Sequence, residues 1–389
     1  MHAPTSAAPS RVVALTLLAI ASLTVMANAT ISPSLPALRD HFASTPGIAT
    51  LAGLVMTLPS LSVVLTGAIA GILCDRIGRR PVLLTAMVLY GLAGASGALA
   101  STMNEILAGR ILLGIANAGV MTATQALIAD LFQGSAREKF TGNQSAAMAV
   151  GGIVFLTTGG FLASLDWRYP FFIYLSALVL LPLAMVKLAE PARQTHGTAQ
   201  ASETLPWRFV GGIALLAGFG MLTFYMIPVK LPFYMRELGV ASPALAGMAV
   251  ASCTVTSALV SFNYRRLKGN LSPQAVFALA FGLMAAGYAV IALAPNALIA
   301  VGGVSFAGLG LGLLMPNQIL WLMSRTPPQA RGRAAGLMTT AVFLGQFLSP
   351  LFSGPVSEGF GLSTVYGVTA LVLAAVSVLM AFLARRATA

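Results

Sequence analysis

Charged residues are scarce in this sequence, and acidic residues are the scarcest of them. The 389 residues include 22 Lys and Arg but only 10 Asp and Glu, so 8% of the chain is charged, whereas 57% is hydrophobic. Soluble domains carry about 25% charged residues, and their interiors cannot hide this much apolar surface. The composition therefore excludes a soluble globular protein and predicts that a lipid bilayer surrounds most of the chain.

Cysteine and histidine are also rare, with two and three residues respectively. Cys74 and Cys253 lie in or at the end of apolar segments, without the spacing of a metal site or a redox pair. His2, His41 and His196 are scattered in predicted tails and loops. We therefore expect no structural disulfide, no metal, no cofactor and no catalytic residue. The sequence also lacks a GxxxxGK[ST] loop, which excludes an ATP-driven pump.

The net charge of +12 does not indicate a nucleic-acid partner, because the basic residues are dispersed among apolar segments. Most of them fall at one end of the predicted helices, whereas Arg39, Arg168 and Arg236 fall at the other end. The positive-inside rule assigns the basic end to the cytoplasm. We expect a monomeric multi-pass protein, in contact with membrane lipids, in a cell membrane such as the bacterial inner membrane, with both termini cytoplasmic.

The apolar runs are long and continuous rather than alternating, which favours membrane-spanning helices over a barrel. Twelve such helices are predicted, at residues 11–36, 47–74, 81–101, 104–131, 140–165, 168–190, 207–235, 243–264, 272–294, 296–324, 332–356 and 361–384.

The two halves of the sequence repeat each other. Residues 119–142 align with residues 312–336, and "PSLPALRDHF" at 33–42 resembles "PVKLPFYMREL" at 228–238. The offset is about 195 residues in both cases. A parallel duplication of six helices is a transporter architecture in which the substrate lies between the halves.

The duplication predicts two bundles of six helices. The polar segment "PARQTHGTAQASETLP" at 191–206 has the composition of a flexible linker. We therefore predict a first bundle at 1–190, a cytoplasmic linker at 191–206 and a second bundle at 207–389.

The segment "GILCDRIGRR" at 71–80 concentrates four charges between the second and third helices. It matches the pattern G-x-L-x-D-R-x-G-R-R with Gly71, Leu73, Asp75, Arg76, Gly78, Arg79 and Arg80. This resembles the signature loop of the major facilitator superfamily, and the resemblance covers nearly the whole chain. It implies an all-α integral membrane protein, with twelve transmembrane helices in two pseudo-symmetric six-helix bundles.

The signature loop also implies a cytoplasmic gate. We expect Gly71 to let another helix approach and Gly78 to permit the tight turn. Asp75 and the arginines can form an ion cluster with Asp130 and Arg137, locking the bundle ends in one state and releasing them in the other. The alternative is that the arginines only enforce topology and contact lipid phosphates.

Polar residues within the helices are candidates for the substrate cavity. Arg110 with Gly114 resembles the superfamily's arginine motif in the fourth helix, and either lines the cavity or snorkels to the membrane surface. Polar residues in spans also serve as contacts between helices. The candidates are Asn28, Arg110, Asn117, Gln125, Tyr225, Lys230, Asn317, Gln318, Trp321 and Gln346.

The fifth helix matches only part of the fingerprint of drug:proton antiporters in this superfamily. Gly151, Gly159 and Gly160 fit G-x-x-x-G-P-x-x-G-G, but Phe155 and Leu156 replace the Gly-Pro pair. The resemblance implies a secondary transporter that exports small organic molecules, drugs or metabolites, in antiport with protons.

Coupling to protons needs a titratable group, and no acid lies at the middle of a predicted span. The candidates are Lys230 within the seventh helix and Asp40 and Glu237 at the outer helix ends. Because Arg110 and Lys230 are cationic, an alternative is uptake or export, proton-coupled or facilitative, of an anionic or zwitterionic metabolite or a metal chelator.

Overall fold

The computed structural model describes residues 10–190 and 204–388. Within them, twelve helices are long and apolar enough to cross a membrane, which confirms the all-α membrane fold. We label them α1 (Arg11–His41), α2 (Ile48–Ile77), α3 (Arg79–Ala98), α4 (Met103–Leu131), α5 (Gly134–Leu165), α6 (Tyr169–Lys187), α7 (Trp207–Glu237), α8 (Pro243–Phe262), α9 (Pro273–Ala292), α10 (Ala297–Arg325), α11 (Pro328–Phe360) and α12 (Leu362–Arg386).

The first residues of several helices are determined by capping side chains that lie next to them in the sequence. Thr102 begins α4 with a capping box, in which its hydroxyl accepts from the Glu105 amide and the Glu105 side chain accepts in return. Asn296 caps α10 by accepting from the amide of Ile299 at 3.0 Å. Such caps satisfy amides that have no partner within the helix, which fixes where the spans begin.

One predicted span differs from the structure in its course. The first helix was expected to end at residue 36, but α1 is helical over Arg11–Ala29, turns through a 3₁₀ segment at Ser32–Ser34 and continues as Leu35–His41. Pro33 and Pro36 supply no amide hydrogens, so this stretch cannot continue a regular helix. The break leaves backbone carbonyls near residue 27 without helical donors.

The helices pack with the symmetry of the sequence repeat. In the first half, α1 packs on α5 and α2 on α4; in the second half, α7 packs on α11 and α8 on α10. Between the halves, α2 contacts α11 and α8 contacts α5. Each contact has its counterpart six helices later, which confirms two pseudo-symmetric six-helix bundles.

The bundle has two ends that differ in charge. We call the end that carries the α2–α3, α4–α5, α8–α9 and α10–α11 connections the basic end, and the opposite end the distal end. Large apolar side chains such as Leu65, Val179 and Leu371 are exposed between the two ends. In a bilayer these side chains would face lipid, as expected from the composition.

The halves touch at the distal end and separate at the basic end. A methyl group on Gly53 of α2 would lie 2.6 Å from Pro350 Cβ of α11, and one on Gly160 of α5 would lie 2.8 Å from the Pro243 carbonyl of α8. Toward the basic end, a methyl group on Gly67 of α2, on Gly142 of α5 or on Gly336 of α11 would meet nothing within 4 Å. The same helices are therefore in close contact at one end and apart at the other.

The predicted domain boundaries fall at the edges of the described residues. Of the linker at 191–206, residues 191–203 lie outside the described residues, and α7 begins at Trp207. The division into 1–190, 191–206 and 207–389 stays a prediction.

Candidate functional site

A cavity of about 300 Å³ lies between the two halves, just on the basic side of their contact. Residues from α1, α2, α4 and α5 line it from the first half, and residues from α7, α8 and α11 line it from the second. The lining residues are Thr24, Val25, Asn28, Ala29, Met56, Met121, Met148, Gly152, Leu156, Met221, Phe224, Tyr225, Pro228, Val250, Thr254, Phe343 and Gln346.

The wall of this cavity is apolar and uncharged. Four methionines and two phenylalanines provide most of its bulk, and none of the described lining residues is charged. Methionine adapts its shape to irregular ligands because it is unbranched and polarisable. The volume of the cavity is at the lower end of the range for small-molecule sites, and like such sites it has a few polar groups on an apolar wall.

Three of the polar side chains that line the cavity form, together with Ser60, one network that bridges the halves. Asn28 Nδ2 lies within hydrogen-bond distance of Ser60 Oγ at 2.9 Å, Gln346 Oε1 at 3.2 Å and Tyr225 Oη at 3.4 Å, and its two hydrogens are shared among these three acceptors. Ser60 in turn donates to Gln346 Oε1 at 2.7 Å. Asn28 and Ser60 belong to the first half, and Tyr225 and Gln346 belong to the second. The structure thus brings three predicted cavity residues, Asn28, Tyr225 and Gln346, into contact.

Arg110 does not line the cavity and does not snorkel. It is 1% exposed, inside the first half, and its guanidinium donates in three directions. Nε donates to the Val55 carbonyl at 2.6 Å, Nη2 to the Ala27 carbonyl at 2.6 Å and Nη1 to Tyr174 Oη at 3.0 Å. Arg110 therefore ties α4 to α1, α2 and α6, and this correction removes one of the two cations expected in the cavity.

The environment of Arg110 follows from breaks in two neighbouring helices. Pro59 in α2 has no amide hydrogen, so the Val55 carbonyl four residues earlier loses its helical donor. The regular part of α1 ends at Ala29, which leaves the Ala27 carbonyl unpaired in the same way. A guanidinium holds several donors in a fixed plane and can satisfy both carbonyls at once.

Three further polar candidates in the helix interiors lie away from the cavity. Asn117 is 1% exposed within the first half, and its Oδ1 has no partner among the described residues. Gln318 is also buried, and its Nε2 contacts Met315 Sδ at 3.5 Å. Gln125 is exposed toward the basic end of α4. None of the three lines the cavity.

Asn317 and Trp321 serve packing in the second half. Asn317 accepts from Tyr264 Oη at 2.9 Å and donates to the Pro273 carbonyl at 2.9 Å, which joins α10 to the α8–α9 connection. Burial raises the pKa of the Tyr264 phenol above its ordinary value. The Trp321 ring packs against Phe209, with ring centroids 5.4 Å apart. Neither residue lines the cavity.

Contacts across the distal end close the space beyond the cavity. Ser32 Oγ donates to the Pro228 carbonyl at 2.5 Å, and this carbonyl is available because Pro232 supplies no amide hydrogen. Asp40 of the first half forms a salt bridge with Arg236 of the second half at 2.5 Å. Arg39 lies 4.8 Å from the centroid of the Phe233 ring. The repeated segments at 33–42 and 228–238 therefore meet each other here.

Lys230 lies in the same distal region, outside the central cavity. It is 3% exposed, and its Nζ donates to Ser357 Oγ at 2.9 Å. It borders a pocket of about 140 Å³ together with Arg39, Glu237 and Glu358. The structure thus gathers the three coupling candidates, Lys230, Asp40 and Glu237, at the distal closure rather than in the cavity.

The signature loop at the basic end is held within the first half. Arg79 Nε lies 3.1 Å from Asp130 Oδ2, an ion pair between α3 and α4. The Glu190 carboxylate accepts from the backbone amides of Arg79 at 2.8 Å and Arg80 at 2.7 Å. Arg80 Nη2 also donates to the Met185 carbonyl at 2.7 Å. Glu190 thus caps the first turn of α3, where a negative charge is favoured.

The glycines of the loop fulfil one expectation and fail another. Gly78 has a φ of 115°, which confirms that the tight turn needs a glycine. A methyl group on Gly71 would meet nothing within 4 Å, so no helix approaches it in this conformation.

Arg137 is exposed at the start of α5 and forms no salt bridge with a described residue. Asp75 and Arg76 are exposed at the end of α2.

Sequence reasoning missed Ser60 and Glu190. Ser60 follows Pro59 in the middle of an apolar span, and a hydroxyl beside a helix break is a signal for a polar contact. Glu190 caps a helix that begins 111 residues earlier, and no rule of local spacing connects the two. Only its position as the last acid before the predicted linker distinguishes it.

The fold and the cavity define the class of this protein. Two pseudo-symmetric bundles of six spans enclose a small apolar cavity at their interface, and this is the arrangement of a membrane transporter. The family model described as Major Facilitator Superfamily matches residues 17–350, and a second match covers residues 213–389. The chain belongs to the Major Facilitator Superfamily and is a multi-pass membrane transport protein.

Similar proteins are transporters rather than enzymes. The chain is 26% identical over 350 residues to the bacillibactin exporter of Bacillus subtilis (strain 168), covering 84% of this chain and 85% of that protein. It is 23% identical over 318 residues to the quinolone resistance protein NorA of Staphylococcus aureus (strain Mu50 / ATCC 700699), covering 79% and 80%.

A solved structure has the same fold. A bacterial homolog of the human lysosomal transporter Spinster, in an inward-facing and occupied conformation, superposes with a TM-score of 0.79. The alignment covers 96% of each chain at 18% identity. At this identity the likeness establishes the fold alone.

Proposed function

We propose that this chain is a secondary active transporter that exports small organic molecules, such as drugs or metabolites, by alternating access and in antiport with protons. In this proposal it acts as a monomer in a bacterial inner membrane. Both termini and the basic end face the cytoplasm, as the distribution of Lys and Arg predicts. The conformation described above is then open to the cytoplasm and closed to the outside.

One observation carries the proposal. The cavity lies between two halves that are in contact at the distal end and apart at the basic end. A rocking motion that separates the distal contacts and joins the basic ends would expose the same cavity to the other side of the membrane. Asp40 and Arg236 would part in that motion, because they belong to different halves.

Export is supported by the relatives, since one is named an exporter and the other a resistance protein. Proton coupling is supported by the position of Lys230, Asp40 and Glu237 at the closure that must open. A group whose surroundings change between two states binds protons differently in each, and this difference couples a proton to the motion. The signature loop with Asp75 and Arg76 would act at the basic end, where the halves must meet.

The test is flux into proteoliposomes with and without an imposed pH gradient. The substrates are a quinolone and bacillibactin, because the two relatives are named for them. We expect flux that the gradient accelerates and that Lys230→Gln makes less sensitive to pH. Lys187→Gln is the matched control, because Lys187 is an exposed lysine in the last turn of α6. Flux that ignores the gradient in the parent protein would contradict antiport.

The similarity to the bacillibactin exporter keeps a metal chelator as a second candidate substrate. The cavity weakens the anionic or zwitterionic form of this alternative, because neither Arg110 nor Lys230 lines it. In the same assay, movement of bacillibactin alone would favour the chelator. Inward movement down a concentration gradient, unaffected by pH, would favour facilitative uptake.

A further inference from the structure

The connection between α8 and α9 concentrates cations at the basic end of the second half. Arg265, Arg266 and Lys268 lie on a short helix at Tyr264–Lys268, where both arginines are exposed and the lysine is half-buried. None of the three forms a salt bridge with a described residue. Like charges this close in sequence repel one another unless a counter-charge is near. The connection therefore attracts negative charge from its surroundings.

The corresponding connection of the first half, the signature loop, obtains its counter-charges from the same chain. Asp130 of α4 pairs with an arginine of the loop at 3.1 Å, and Glu190, after α6, accepts from two of the loop's amides. The second half replaces both acids. The sequence repeat places Met323 of α10 where α4 has Asp130, and α12 ends in Arg385 and Arg386 where α6 leads to Glu190.

No other acid of the described second half takes over this part. Of residues 204–388, only Glu237 and Glu358 are acidic, and both lie at the distal end, near the ends of α7 and α11. The cations of the α8–α9 connection are thus separated from these two carboxylates by the length of a span. Their counter-charge has to come from outside the described chain.

The α8–α9 connection is also placed to contact the bilayer. Tyr264 is 4% exposed, and its hydroxyl donates to Asn317 Oδ1 at 2.9 Å, which fixes the short helix against α10. Beside the cations, the side chains of Phe262, Leu267 and Leu271 are 68%, 50% and 42% exposed. Apolar side chains next to cations are typical of a segment at the membrane surface, where the former meet acyl chains and the latter meet headgroups.

We propose that the α8–α9 connection binds an anionic phospholipid, whose headgroup takes the place of the acids that the second half lacks. Arg265, Arg266 and Lys268 contact the phosphate, and the exposed apolar side chains beside them lie along the acyl chains. A free phosphate would satisfy the cations but leave these apolar side chains uncovered. The inference depends on the membrane location of the chain and not on export, so it is tested apart from the proposed function.

The test compares the retention of two phospholipids by the purified full-length protein in detergent. Phosphatidylglycerol and phosphatidylcholine with the same acyl chains are added at equal concentration, and the bound copies of each are counted by native mass spectrometry. Each cation near an anionic surface contributes about fivefold in affinity. We therefore expect phosphatidylglycerol to be preferred at least about fivefold. Because the attraction is electrostatic and exposed, this preference should fall as the salt concentration rises.

Two double variants assign the preference to this connection. Arg265→Gln with Arg266→Gln should lower it at least about fivefold, whereas Arg265→Lys with Arg266→Lys should keep it, because an ammonium also binds a phosphate. The matched control is Lys139→Gln with Lys187→Gln, which removes the same charge from exposed residues at the basic end of the first half. Each of these lysines lies within three residues of an acid, so the control should change the preference less than about twofold.

The possible outcomes separate this inference from its rivals. Equal retention of the two phospholipids by the parent, or an equal loss of preference in the glutamine variant and the control, would overturn it. Displacement of the lipid by glycerol phosphate at the same concentration would assign the site to a free phosphate instead. All variants should melt like the parent, because the substituted residues are exposed. Preferred retention of phosphatidylglycerol without any flux in proteoliposomes would support the inference and contradict export.

Discussion

Replacing Arg110 by lysine tests whether this residue holds the first half together or contacts substrate. The arginine makes three hydrogen bonds, to two backbone carbonyls and one phenol, all at 3.0 Å or less. A hydrogen bond that involves a charged group contributes about 1.5–3 kcal/mol. An ammonium group at the end of a flexible stem cannot reach three partners on different helices. We expect it to keep one of the three bonds.

The expected loss is therefore two charge-assisted hydrogen bonds, or about 3–6 kcal/mol of folding free energy. In a thermal-unfolding experiment on the purified protein, this corresponds to a melting temperature lowered by roughly 5 °C or more. Arg137→Lys is the control, because Arg137 is exposed and forms no salt bridge with a described residue. Its melting temperature should match that of the parent.

Ligand binding below the melting temperature separates the two roles. Because Arg110 does not line the cavity, folded Arg110→Lys protein should bind the quinolone as the parent does. A variant that melts like the parent but fails to bind the quinolone would refute the structural role. That result would return Arg110 to the cavity, which was one of the two positions expected for it from the sequence.

Three further predictions follow from contacts elsewhere. Gly114→Ala should lower the free energy of unfolding by about 1–3 kcal/mol, because the new methyl group would lie 2.6 Å from a side-chain carbon of α2. Gly71→Ala is the control and should melt like the parent, because its methyl group would meet nothing within 4 Å. Glu190→Ala should cost about 1 kcal/mol by removing the cap of α3, and an unchanged melting temperature would disprove the cap. Asp40→Arg should open the distal closure, so that an impermeant thiol reagent added on the distal side reaches a cysteine placed in the cavity, and adding Arg236→Asp should restore protection of that cysteine. Protection of the cysteine in the Asp40→Arg single variant would show that the ion pair does not hold the closure.

The sequence predicted the fold well because composition and repetition both constrain it. The scarcity of charge predicted a membrane protein, the run lengths predicted twelve spans, and the constant offset predicted two related halves. Each of these properties is spread over the whole chain. Irregularities such as the break in α1 after Ala29 were not expected, although Pro33 and Pro36 mark it.

The candidate site was harder to predict, as Arg110 and Asn28 show. Both are polar residues within apolar spans, and a helical-face argument treats them alike. In a bundle of twelve helices, however, most faces of a central helix meet protein, so a polar stripe does not reveal which neighbour it faces. Asn28 meets the cavity, whereas Arg110 meets carbonyls that Pro59 and the end of α1 leave free. That pairing depends on how four helices assemble.

The cap that Glu190 places on α3 has a consequence for biosynthesis. The amides of Arg79 and Arg80 receive their acceptor from a residue about 110 positions later in the chain. This cap on α3 therefore cannot form until the sixth span has been made and has returned to the same end of the bundle. The last residue to join the first half is also the last residue before the segment that leads to the second. The first half can therefore be complete only after its last residue has been synthesised.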